Sequence, residues 1–106
     1  MAVPSTPLFG NPTRVTQSVA IKASPGKIWA VQLDGGTDAS SLLFYNDIDS
    51  AHGTVLYSIV APSKVANNSE QATVFVSLLE LGGIDASIGM WAELTGTAAI
   101  GYVWWS

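Results

Sequence analysis

Turn-forming clusters recur along this chain about every 8–12 residues, a spacing that leaves room for short β-strands and almost none for helices of ordinary length. Ser24-Pro25-Gly26 joins a proline, which presets φ at the second position of a turn, to a glycine that accepts positive φ at the third. Asp34-Gly35-Gly36-Thr37-Asp38, Gly82-Gly83-Ile84-Asp85 and Thr95-Gly96-Thr97 read as further turns. Two longer polar stretches, Asn46 to Gly53 and Ser63 to Ser69 behind the strand-ending Pro62, read as loops.

The segments between these turns carry β patterns. Thr13 to Ala23 reads as one strand, with Val15, Gln17, Val19, Ile21 and Ala23 on one face and Arg14, Thr16, Ser18, Ala20 and Lys22 on the other. Lys27 to Leu33 sets Trp29, Val31 and Leu33 opposite Ile28, Ala30 and Gln32. Ser41 to Tyr45, Thr54 to Ala61, Gln71 to Leu81, Ser87 to Leu94 and Ala98 to Trp105 complete about seven short strands. A turn of helix fits within Glu70 to Leu81, but Thr73-Val74-Phe75-Val76 is a β-branched and aromatic run. No window of about ten residues carries a capped 3.6-residue period, and no repeat of solenoid length is present. The pattern predicts an all-β fold: a single compact, jelly-roll-like β-sandwich of about seven to eight short antiparallel strands over residues 13–106.

A strand with one face in water should alternate apolar and polar residues. Leu42-Leu43-Phe44-Tyr45, Ile28-Trp29-Ala30-Val31 and Val74-Phe75-Val76 are instead apolar on both faces. Tyr102-Val103-Trp104-Trp105 is the sharpest case, because adjacent strand residues point to opposite faces and only one of the two tryptophans can join a core. Leaving the other in water forgoes about 2–3 kcal/mol of burial. Charged residues make up 11% of the 106, less than half of the roughly 25% usual in soluble domains, while 48% are apolar. Such a surface is expected to be covered by another protein surface, and a homo-oligomer, dimer or trimer, is the expected state. The candidate interface residues are Val3, Leu8, Phe9, Trp29, Trp91, Tyr102, Trp104 and Trp105.

Residues 1–12 hold Pro4, Pro7 and Pro12 and read as an extended N-terminal arm, whose Val3, Leu8 and Phe9 point to docking on a neighbour. Arg14, Lys22, Lys27 and Lys64 are too few and too scattered for a nucleic-acid or polybasic membrane footprint, and the net charge is −4. Met1-Ala2-Val3-Pro4-Ser5 has neither the basic start nor the apolar core of a signal peptide. The uncharged run from Leu94 to Ser106 is 13 residues, too short for a membrane-spanning helix. The absence of cysteine excludes a disulfide framework, thiol catalysis and cysteine-ligated metals.

Few groups invite chemistry. His52 is the one histidine, no Gly-x-Ser-x-Gly elbow is present, and Asp47-x-Asp49-x-x-His52 lacks the glycine and distal glutamate of a calcium loop. Asp34 and Asp38 suit a turn, Glu80 and Glu93 suit solvated strand faces, and Gly35-Gly36 and Gly82-Gly83 precede no helix that would cradle a phosphate. Neither an enzyme, nor a bound metal, nor a cofactor is expected.

Several segments resemble a family of small phage virion proteins, over Ile21 to Trp105, about four-fifths of the chain. They are Ile21-Lys22-Ala23-Ser24-Pro25-Gly26-Lys27-Ile28, Leu42-Leu43-Phe44-Tyr45-Asn46, Gly53-Thr54-Val55 and Ile59-Val60-Ala61-Pro62. The C-terminal match runs from Ile88 to Ala98 and resumes at Gly101-Tyr102-Val103. The chain departs from the family in a Val-Phe-Val strand within Ser63 to Leu81, where a Gly-rich turn is usual, and in its terminal Trp-Trp-Ser. The resemblance implies a non-enzymatic β-sandwich that decorates and cements a phage capsid. Its expected partner is the major capsid protein and its expected place the virion surface, after synthesis in the host cytoplasm. A tail or head-fibre module that binds a host receptor or carbohydrate is the alternative.

Overall fold

The computed structural model describes residues 10–49, 53–62 and 73–106. Among them, nine strands form two antiparallel sheets packed face to face. The strands are β1 (Asn11–Val15), β2 (Val19–Lys22), β3 (Gly26–Asp34), β4 (Ser40–Tyr45), β5 (Val55–Ala61), β6 (Thr73–Ser77), β7 (Ile84–Ala86), β8 (Met90–Thr95) and β9 (Ile100–Trp105). One sheet has the order β1-β9-β3-β6, with β7 also paired to β3, and the other has the order β2-β8-β4-β5. Here β6 and β7 act as one strand interrupted in the middle, and the two orders are then those of an eight-strand jelly roll.

The interruption has a visible cause. β3 carries a bulge between Ile28 and Ala30, opposite β9, and Trp29 is the extra residue. On its other edge β3 pairs with β6 through Ala30–Asp34 and with β7 through Gly26–Ile28. Between those pairings, the Leu78 N–H donates to the Trp29 carbonyl at 2.8 Å, and Leu79–Leu81 form a single 3-10 turn. The turn closes on Gly82, whose φ of 76° is the left-handed conformation that glycine adopts without steric cost.

The core lies between the sheets. Ile28, Val31 and Leu33 of β3, Val103 of β9 and Val15 of β1 meet Leu42 and Phe44 of β4 and Met90 and Ala92 of β8, all fully buried. Each large side chain so enclosed contributes about 1.5–3 kcal/mol of hydrophobic free energy. At Gly101 a Cβ would sit 2.7 Å from Leu42 Cδ2 of the facing sheet, so β9 needs a glycine at this point. The Asp34–Asp38 turn is tied to the β8–β9 turn. Asp38 accepts from the Thr97 N–H at 2.6 Å, and the Thr37 N–H donates to the Thr97 carbonyl at 3.0 Å.

The all-β sandwich expected from the turn spacing is therefore present, with four differences in detail. The single strand expected from Thr13 to Ala23 is two strands in opposite sheets, with Thr16, Gln17 and Ser18 as the exposed crossing. Pairing also starts two residues earlier than Thr13, and Pro12 sits in β1 opposite Trp104, on an edge strand where its missing N–H costs nothing. The long strand expected up to Leu81 stops at Ser77 because Leu78 turns into the core, and Ile84-Asp85, expected as turn, belong to β7. Last, the bulge moves Trp29 to the face opposite Val31 and Leu33 and brings Ile28 to theirs. The expected loop Ser63 to Ser69 lies outside the described residues. Among the described residues no helix is long and apolar enough to cross a membrane.

Candidate functional site

Both outer faces of the sandwich carry aromatic residues. On the β1-β9-β3-β6 sheet, inward Val31, Leu33 and Val103 alternate with outward Gln32, Tyr102 and Trp104. The cross-strand row Arg14–Tyr102–Gln32–Phe75 lies next to the row Pro12–Trp104–Ala30–Ser77. The Trp104 and Phe75 rings meet edge to face with centroids 5.8 Å apart, and the Tyr102 ring lies 6.4 Å from that of Trp104. Trp104 and Phe75 stand on strands either side of β3 and so bridge Ala30. Ala30 is fully buried although it lies outside the apolar cluster between the sheets. Phe75 itself is 48% exposed.

Trp29 extends this face towards the end where β3 pairs with β7. Its indole N–H donates to Ser106 Oγ at 2.9 Å, and Lys27 Nζ stands 5.3 Å above the ring. The same lysine reaches the Gly82 carbonyl at 3.0 Å and Asp85 at 3.7 Å, an exposed ion pair of small worth. Ser106 is held by reciprocal backbone hydrogen bonds with Lys27, at 3.0 and 3.1 Å, so the β9 ladder continues to that residue.

On the other sheet, the outward residues of β8 and β4 include Trp91, Glu93, Leu43 and Tyr45, all half-buried, with Trp91 directly opposite Tyr45 and Glu93 opposite Leu43. The Tyr45 hydroxyl donates to Glu93 Oε1 at 3.3 Å. Partial desolvation, then the Glu93 charge and this hydrogen bond, raise the Tyr45 phenol above its ordinary value. Edge strand β5 adds Val60, 69% exposed, to the same face.

The candidate interface residues thus separate into groups. Trp29, Tyr102 and Trp104 share one outer face, and Trp91 lies on the opposite one. Trp105 is half-buried: it packs against the core, its indole N–H donates to Thr13 Oγ1 at 2.8 Å, and Lys22 Nζ sits 5.7 Å from its ring. The outward member of the terminal pair is Trp104. Val3, Leu8 and Phe9 lie outside the described residues. Phe75 and Tyr45 were not singled out in the sequence; their signal was the apolar character of their strands on both faces.

Asp34 and Asp47 are engaged in local structure. Asp47 accepts the Ile48 N–H at 2.6 Å and the Asp49 N–H at 3.4 Å, and its expected neighbour His52 lies outside the described residues. Asp34 accepts from Thr73 Oγ1 at 2.9 Å and from Gln32 Nε2 at 3.2 Å. Glu80 lies on the 3-10 turn between β6 and β7, and Glu93 lies on the opposite sheet, so the two do not form a carboxylate pair. Among the described residues no three His, Asp or Glu side chains are gathered as a metal site would need.

Comparison with known protein-family models, curated proteins and solved structures returned no match.

Proposed function

We propose that this chain is a non-enzymatic phage virion protein that decorates and cements the capsid shell. The reading rests on the segments that resemble small phage virion proteins. The observation that carries it is the pair of aromatic outer faces on a domain with only 11% charged residues. Trp91, Tyr45, Leu43 and Val60 together on one outer face suit a subunit wedged among others better than a free monomer. Jelly rolls are common in viral capsid and lectin domains, which is compatible with this reading by analogy of fold. The mechanism is mass action: a protein that binds the assembled lattice but not free capsid subunits stabilises the shell by its binding free energy.

The test is quantitative mass spectrometry of purified particles, followed by a density map. The chain should be present in a fixed ratio to the major capsid protein and should lie on the head surface. Its absence from particles, or a position on the tail, would refute the reading.

One observation favours a second reading. Trp91, Tyr45 and Glu93 sit together on one sheet face, the combination of stacking ring and hydrogen-bond acceptor that a sugar-binding surface uses. A head-fibre or tail module that binds host carbohydrate would give a signal on a glycan array that Trp91→Ala abolishes.

A further inference from the structure

We propose that two copies of this chain pair antiparallel along the outer edge of β5, around a two-fold axis at Ile59, and so join their β2-β8-β4-β5 sheets into one sheet of eight strands. An edge strand presents a row of backbone N–H and C=O groups to any other strand, and folded proteins blunt such edges with proline, charge, short strands or interruptions. Three of the edges here are blunted in this way. β1 carries Pro12 and Arg14. β2 is four residues long, carries Lys22 and shifts register between Ala20 and Lys22. On the remaining edge of the first sheet, β6 and β7 are separated by the 3-10 turn, and β7 carries Asp85.

β5 lacks these devices along most of its length. Val55–Ala61 is the longest of the edge strands, has no charge, proline or glycine, and is rich in β-branched residues. Among the described residues β4 is the only strand that pairs with it. Its one irregularity lies at one end, where the register shifts opposite Phe44 and Tyr45 and leaves Leu56 as the extra residue. Tyr57 to Ala61 is therefore a regular, uncharged edge centred on Ile59. Ile59 and Ala61 point into the core, while Ser58 and Val60 point outward and are exposed.

A second copy of the chain is the occupant this edge fits. An uncharged strand offers a charged peptide no complementary group, whereas it can pair antiparallel with itself, each copy giving and taking the same backbone hydrogen bonds. That pairing is closed, because it uses the β5 edge of both copies and leaves only the blunted edges outside. The two ends of β5 also complement each other. At one end Ala39, Ser40, Ser41, Val60, Ala61 and Pro62 line an open, mainly apolar hollow. At the other end Val55, 46% exposed, stands on the same outer face. Pairing about Ile59 sets Ser58 opposite Val60 of the second copy and brings each Val55 to the rim of the other copy's hollow. The axis is perpendicular to the sheet, so Trp91, Tyr45 and Leu43 of both copies lie on one continuous outer face. The inference selects the dimer over the trimer and does not depend on the capsid reading, since it concerns the purified chain alone.

The test is sedimentation equilibrium of the full chain from micromolar to millimolar concentration, where a monomer–dimer equilibrium is expected. Ser58→Lys combined with Val60→Lys sets like charges directly opposite each other across the axis and should weaken dimerisation about tenfold or more. Ser58→Glu combined with Val60→Lys sets opposite charges at the same positions and should restore it to within about threefold of the unchanged chain. Amide hydrogen exchange needs no substitution: protection of Tyr57 to Ala61 should rise with protein concentration while that of β1 stays constant. A monomer at every concentration would overturn the proposal. So would dimerisation that the two lysines leave unchanged, a Glu–Lys variant as weak as the Lys–Lys one, or assemblies that grow beyond two copies.

Discussion

Replacing Trp105 by alanine should be far more damaging than the same change at Trp104, although the two are neighbours in sequence. Trp105 packs on the cluster between the sheets and donates its indole N–H to Thr13 at 2.8 Å. A fully enclosed tryptophan costs about 3–5 kcal/mol when truncated, and partial exposure of this ring lowers the packing share to about 2–3 kcal/mol. Losing the hydrogen bond adds about 1 kcal/mol. The expected total of about 3–4 kcal/mol corresponds to a fall in Tm of more than about 12 °C for a domain of this length. Trp104→Ala removes an edge-to-face contact worth about 0.5–1.5 kcal/mol and uncovers one alanine, so about 1–2 kcal/mol is expected. Trp105→Phe keeps most of the buried ring but not the donor and should fall between them. Urea unfolding followed by far-UV circular dichroism gives all three values. Equal losses at 104 and 105, or a larger loss at 104, would refute the assigned facing.

Three further outcomes are expected. Gly101→Ala pushes a methyl to 2.7 Å from Leu42 Cδ2 in the packed core and should cost about 1–3 kcal/mol, measured by thermal melting. Asn46 accepts from the Ile88 and Gly89 N–H groups at 2.8 and 3.3 Å and donates to Ser87 at 2.9 Å, so Asn46→Ala should cost about 1–2 kcal/mol and Asn46→Asp, which keeps the acceptor, less. The Tyr45 phenol titrates above its unfolded value, so its contribution to stability is complete below about pH 10 and is lost as pH rises through the folded value. Glu93→Gln should bring its phenolate absorbance transition back towards the ordinary range, and an unchanged transition would show that Glu93 has no part in the shift.

The sequence by itself determined the all-β class, the position of most turns and the presence of strands apolar on both faces. Those are local properties: glycine and proline govern backbone angles directly, and β-branched and aromatic runs prefer extended chain. Leu42 and Phe44 inside, with Leu43 and Tyr45 outside, follow from alternation alone. Only the tertiary structure decided which sheet each strand joins. Val15, Val19 and Ile21 keep one alternation through a change of sheet, because both sheets turn their apolar faces to the same core. The facing of Trp29 was equally hidden. One extra residue in β3 reverses the parity of everything before it, and a bulge is set by pairing with β9 and by the Leu78 hydrogen bond to Trp29. The roles of Trp104 and Trp105 were hidden for the same reason. Adjacency required them to point apart, but which one enters the core depends on the register of β9 against β1 and β3, a property of the assembled sheet.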